Sequence, residues 1–169
     1  MQHQHRRRTA GDLPGLDLAE QKSWQSFVEA ALRLDAMMNR RLADAHQLSV
    51  TDLRVLGALL NSETGSARMG DLAETVDSLP GHLTKRIRRL EERGLVRRAK
   101  CPDDGRGVIA LITDEGRETT RRAAATYADA VQADLAGALS PAQVSTIEKN
   151  CRRIGARSRR PVTGSDDNC

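Results

Sequence analysis

Residues 85–100, KRIRRLEERGLVRRAK, hold eight Lys or Arg against two Glu, so this segment carries +6 while the rest of the 169-residue chain sums to −2. Cations at that density attract a polyanion. Immediately after it, CPDDGRG at residues 101–107 sets Arg106 at the tip of a Pro-Asp-Asp-Gly turn. Asp104, two residues earlier, is placed to brace the Arg106 guanidinium through a charge-assisted hydrogen bond. The chain has only three aromatic residues, Trp24, Phe27 and Tyr127, and none lies in the basic segment. Stacking of unpaired bases needs aromatic platforms, so the composition argues against single strands as the partner.

Other chemistries find no support. There is no Gly-rich phosphate loop, no H-E-x-x-H, no Cys-x-x-Cys pair and no Gly-x-Ser-x-Gly, and His46 and His82 stand alone. The expectation is a protein that is not an enzyme, with no cofactor and no resident metal. His3 and His5 are read as solvated tail residues, with metal binding as the alternative. Three cysteines, at 101, 151 and 169, give no disulfide framework and suit a reducing compartment. Cys151 falls on an apolar helical stripe and is expected in a core, while a redox role for Cys101 stays open. No apolar run approaches the ~20 residues of a membrane span, so the expected location is cytoplasmic, with no membrane partner.

The elements that must position the basic segment follow from periodicity. A long helix is expected from about Asp17 to Ala45, where Trp24, Phe27, Ala31, Leu34 and Met38 recur at spacings of three and four. A second helix starts in LSVTDL, with Ser49 as N-cap, Asp52 three residues on, and Leu48 placed to staple against Leu53. Met69, Leu72, Ala73 and Val76 mark a short third helix, and DSLPG turns the chain into a fourth that stops at Gly94.

Residues 69–93 therefore have the size and spacing of a helix-turn-helix. At about 100° per residue from Leu83, Ile87 and Leu90 fall within about 40° and form a buried stripe, while Gly81, His82, Lys85, Arg88 and Arg89 spread over about 140–260° on the opposite face. Such a face is either a solvated surface or a reader of base edges. Its strong excess of positive charge and its place after a short helix and turn favour the reader, and Gly81 leaves room for close approach. Beyond Gly94 the period becomes strand-like: LVRRAK and VIALIT flank the Asp-Gly turn as a hairpin. That hairpin either closes the domain or acts as a wing offering Arg106 to a minor groove.

LTKRIRRLEERGLVRRAKCPDDGRGVIALITDEGRE, with RMGDLAETVD before it, resembles the MarR family of winged-helix transcription regulators. The family pattern is carried by Leu90, Glu91, Gly94, Leu95, Val96 and Arg98, by Asp104 and Arg106 in the wing, and by Ile112, Thr113 and Gly116 at the next helix start. Gly105 replaces an Arg often found in the wing, Ile112 replaces Leu, and Leu79 stands where a small polar cap is common. The resemblance implies a mainly α fold with a small β-hairpin wing, as a winged helix-turn-helix with N- and C-terminal dimerisation helices.

Residues 1–16 are then a basic tail and 17–160 the domain, with dimerisation helices at 17–47 and 114–157, a winged helix at 49–112, and a second tail at 161–169. Thr113 starts a long Ala-rich helix; Ser140, Pro141 and Gln143 start the last one, which has Val144, Ile147, Cys151 and Ile154 as its apolar stripe. A homodimer would cover the terminal stripes, with an intramolecular core as the competing explanation.

By the same resemblance the protein is a sequence-specific regulator bound to a pseudo-palindromic operator in double-stranded DNA, acting as a repressor released by a small aromatic or anionic effector. The expected DNA-contacting residues are Gly81, His82, Thr84, Lys85, Arg88, Arg89, Asp104 and Arg106. The candidate effector lining is Trp24, Phe27, His46, Asp52 and Arg54. A winged-helix scaffold that docks proteins without sequence-specific DNA binding is the alternative function.

Overall fold

The computed structural model describes residues 13–101 and 107–158. Its elements are α1 (Leu18–His46), α2 (Val50–Leu60), β1 (Ser66–Arg68), α3 (Met69–Thr75), α4 (Pro80–Glu92), β2 (Val96–Lys100), β3 (Val108–Ile112), α5 (Asp114–Asp134) and α6 (Pro141–Ser158), with a short 3-10 turn at Ala136–Ala138. The chain divides into two compact units between Ala124 and Ala125. Each is described by itself.

Helix starts follow the caps written in the sequence. Asp17 and Glu20 form a reciprocal capping box on α1, and Ser49 and Asp52 form another on α2. Each satisfies two backbone donors that the first helical turn leaves without partners. In the second unit the Ser140 amide and hydroxyl donate to Gln143 Oε1 at 2.8 and 2.9 Å, which anchors the start of α6.

The expected hairpin is present, and its register pairs Val96 with Ile112 and Lys100 with Val108. The sheet also has a third strand that periodicity does not reveal. β1 pairs antiparallel with β3 through Ser66↔Leu111 and Arg68↔Ile109, giving the strand order β1-β3-β2. Three residues are too few to show an alternation.

The core of the first unit collects Leu42, Leu48, Val55, Leu56, Leu59, Leu72, Leu83, Ile87, Leu90 and Val96, each almost fully buried. Burying a Leu or Ile side chain is worth about 1.5–3 kcal/mol, so the three from α4 fix which way that helix faces. The α1 stripe divides along its length: Met38 and Leu42 are buried, whereas Trp24 and Phe27 are 51% and 45% exposed.

Cys151 does not sit in a core as expected. It is exposed, as are Val144, Ile147 and Ile154 on the same helix. Periodicity correctly marks the stripe as apolar, but these four side chains stay exposed among the described residues. Cys101, by contrast, is buried. Among the described residues no helix is long and apolar enough to cross a membrane, and no cluster of three His, Cys, Asp or Glu could hold a metal ion.

Candidate nucleic-acid interface

α4 presents the two faces its sequence implies. Leu83, Ile87 and Leu90 are buried, while Gly81, His82, Thr84, Lys85, Arg88 and Arg89 are all exposed on the other side. Six of the eight residues expected at DNA therefore share one solvent-facing surface. The other two, Asp104 and Arg106, lie outside the described residues.

Several of these side chains already have local partners. Thr84 Oγ1 donates to the Pro80 carbonyl at 2.9 Å, and Arg88 Nε lies 3.2 Å from Glu92 Oε1 one turn on. Exposed pairs of the Arg88–Glu92 kind are worth about 0–1 kcal/mol, so a phosphate can readily replace the glutamate.

The edge of α4 is held by a residue that the sequence reading left out of the site. Arg86 Nη1 donates to Asp52 Oδ1 at 2.6 Å and to Ser49 Oγ at 2.9 Å. The Ser49 amide and hydroxyl both donate to Asp52 Oδ2, at 2.8 and 2.7 Å, and Arg89 Nη2 lies 3.6 Å from the same oxygen. The start of α2 is thus bolted to α4. Burial alone would raise the Asp52 pKa, but the Ser49 amide, the Ser49 hydroxyl and the Arg86 guanidinium together outweigh it and hold the carboxyl below its ordinary value. The signal for Arg86 was in the wheel: at about 300° it falls between the buried stripe and the open face, where a long cation reaches back toward the core.

The residues of the expected effector lining do not gather in one place within the single chain. Asp52 is 1% exposed and both its oxygens are taken, so it is a structural anchor rather than a wall of an open pocket. Trp24 and Phe27 pack on each other with ring centroids 6.2 Å apart. They lie ~33 Å and ~29 Å along α1 from His46 at ~1.5 Å per residue, so one pocket of this chain cannot contain both ends. Arg54 is exposed on α2. His46 borders a cavity of about 490 Å³ shared with Gln47, Arg93, Glu115, Thr119 and Arg122. Arg93 closes one side of it by donating to the Gln47 and His46 carbonyls at 2.5 and 2.9 Å, where α1 ends.

The link from α4 to the hairpin has a physical basis for each residue of its pattern. Gly94 takes φ +72°, the left-handed conformation that ends the helix without a Cβ penalty, and Leu95 and Val96 turn into the core. Glu91 accepts from the Arg98 amide at 3.0 Å and from its Nε at 2.7 Å, which ties the last turn of α4 to β2. Those two bonds and the guanidinium charge hold the Glu91 carboxyl below its ordinary value.

Thr113 Oγ1 donates to the Gly94 carbonyl at 2.7 Å and accepts from the Gly116 amide at 3.0 Å. A Cβ on Gly116 would stand 2.1 Å from the Leu95 carbonyl oxygen, so α5 meets the hairpin at a distance only glycine allows. The hairpin is thereby held close to the end of α4.

The comparisons agree with this architecture. A sequence model of the MarR family matches residues 48–108. Sco3205, a MarR family transcriptional regulator from Streptomyces coelicolor solved in complex with DNA, is 34% identical, covering 90% of this chain and 95% of that one, with a TM-score of 0.82. AbsC, a MarR family transcriptional regulator from the same organism, is 29% identical over 87% of this chain and 99% of that one, with a TM-score of 0.80. The HTH-type transcriptional regulator YhbI of Bacillus subtilis is 34% identical over 101 residues, which span 58% of this chain and 65% of that protein. The chain thus matches just under two thirds of the length of this curated relative.

Proposed function

The chain belongs to the MarR family of transcriptional regulators, and on that premise we propose that it binds double-stranded DNA sequence-specifically, as a homodimer, and represses transcription until a small molecule releases it. The observation that carries the reading is the outward face of α4: six exposed residues that include Lys85, Arg88 and Arg89, held against the core by Leu83, Ile87 and Leu90. A helix so mounted enters a major groove with its first turns toward base edges, and its arginines reach the flanking phosphates. Arg106, braced by Asp104, takes the adjacent minor groove, whose negative potential deepens where A·T pairs narrow it.

The exposed apolar side chains support a second copy as partner. Leu18, Trp24, Phe27 and Leu32 on α1, and Val144, Ile147 and Ile154 on α6, remain open to water in the single chain. A homodimer covers such surface and carries two reading helices. Release is assigned to an aromatic or anionic effector, and the cavity beside His46 is its candidate seat in this chain, with Arg93 and Arg122 in its lining.

Selection from a pool of randomised duplexes, followed by mass measurement of free and bound protein, tests the reading. Enrichment of a pseudo-palindrome with half-site centres ~10 bp apart, bound by two chains, is the expected result. A monomer that enriches no sequence contradicts it.

A further inference from the structure

Leu79 is out of place on two counts. It is the N-cap of α4, with φ −62° and ψ 138°, yet its side chain makes no capping bond. Ser, Thr, Asp or Asn at an N-cap stabilises a helix start by about 1 kcal/mol relative to an apolar residue, so this leucine gives the fold less than a polar residue would. It is also 68% exposed, while Leu72, Leu83, Leu90 and Leu95 of the same unit are buried. A single exposed leucine is ordinary on a protein surface. One that displaces a cap at the tip of a reading helix is different, because nothing within the domain accounts for it.

Its surroundings narrow what it can meet. Pro80 follows at the first helical position and restricts Leu79 to extended backbone, which projects the side chain from the helix end. Gly81 comes next, and a Cβ there would meet nothing within 4 Å, so no neighbouring side chain holds an approaching surface away. Beside Leu79 lies a shallow recess of about 380 Å³ formed with Gly70, Ala73 and Pro80 and edged by Glu74 and Asp77. Ser78 also lines it, its hydroxyl donating to the Leu79 carbonyl at 3.4 Å, and the two carboxylates at the edge repel phosphate, whereas the Leu79 isobutyl group itself offers neither donor nor acceptor to a base edge. The group that suits it is uncharged and apolar. The major groove displays one such group, the 5-methyl of thymine.

We propose that Leu79 is a specificity residue of this protein, its isobutyl group reading the 5-methyl group of one thymine in each half-site. The inference rests on the reading of α4 as the DNA-reading helix. Removing one methyl from an apolar contact costs about 0.8 kcal/mol, which corresponds to about a fourfold loss of affinity per half-site.

The experiment takes the duplex enriched by selection and replaces each thymine in turn by deoxyuridine, which deletes the methyl and nothing else. Binding is read by fluorescence anisotropy at fixed salt. For the unmodified protein, one thymine per half-site should lose about fourfold on replacement. Leu79→Ser should bind the thymine and deoxyuridine duplexes alike at that position, with a melting temperature no lower than the parent because serine restores a cap.

Equal binding of the unmodified protein to every deoxyuridine duplex overturns the proposal without reference to any variant. So does a Leu79→Ser protein that keeps the fourfold penalty. Failure of the protein to enrich any duplex overturns the DNA-reading assignment itself, a separate outcome.

Discussion

Replacing Asp52 by asparagine removes one negative charge at 1% exposure and changes almost no volume. The asparagine oxygen can still accept from the Ser49 amide, so the start of α2 keeps part of its cap. The amide nitrogen cannot accept from Arg86, and the guanidinium loses the oxygen it now reaches at 2.6 Å. Removing one partner of a buried pair costs about 3–5 kcal/mol. Arg86 is 24% exposed and can turn toward water, which places the loss near the lower end, about 3 kcal/mol.

For a chain of this size each kcal/mol shifts the melting temperature by about 2–4 °C, so Asp52→Asn should melt about 6–12 °C lower at neutral pH. The assay is thermal unfolding followed by circular dichroism at one fixed protein concentration. The gap must also depend on pH. Because the folded state holds the Asp52 carboxyl below its ordinary value, its contribution is complete above the ordinary carboxylate range and is lost as pH falls through the lowered value. The two melting temperatures should therefore converge in acid. A variant that melts with the parent at neutral pH, or a gap that is unchanged in acid, would refute the argument.

Gly116→Ala should destabilise by at least about 1–3 kcal/mol, read in the same melting assay, because its Cβ would meet the Leu95 carbonyl oxygen at 2.1 Å and backbone must move. In the wing, Arg106→Ala should weaken binding by about 1–3 kcal/mol and lower the salt slope by about one unit on A·T-rich flanks, while the solution mass stays that of the dimer. Asp104→Ala should give a smaller loss of the same kind, since the arginine remains but is less well oriented.

The sequence makes the open face of α4 legible because the helix is amphipathic with an excess of Lys and Arg over Glu, and both the 3.6-residue period and the charge excess register locally. The caps at Ser49 and Ser140 and the stop at Gly94 were legible for the same reason, since each is decided within four residues. β1 was not, because Ala67 finds its partner in Ala110, and a three-residue strand takes its identity from that distant pairing.

Asp52 shows a residue doing two things at once. Its capping role is written in the spacing from Ser49, but its grip on Arg86 joins positions 34 residues apart. Periodicity also marks the α6 stripe as apolar without saying what covers it, which is why Cys151 was assigned to a core and is instead exposed.

On the function proposed above, the outward face of α4 reads duplex DNA. The most direct test of that claim is the affinity of the parent, Lys85→Ala and Arg89→Ala proteins for the selected duplex and for single-base variants of it, measured across a range of salt. The parent's affinity should fall steeply and linearly on logarithmic axes as salt rises. Lys85→Ala should lose about 1–3 kcal/mol and discriminate less at one base pair per half-site. Arg89→Ala should weaken every duplex alike and make the slope shallower by about one unit. Three proteins with the same affinity, the same base preferences and the same slope would contradict the claim.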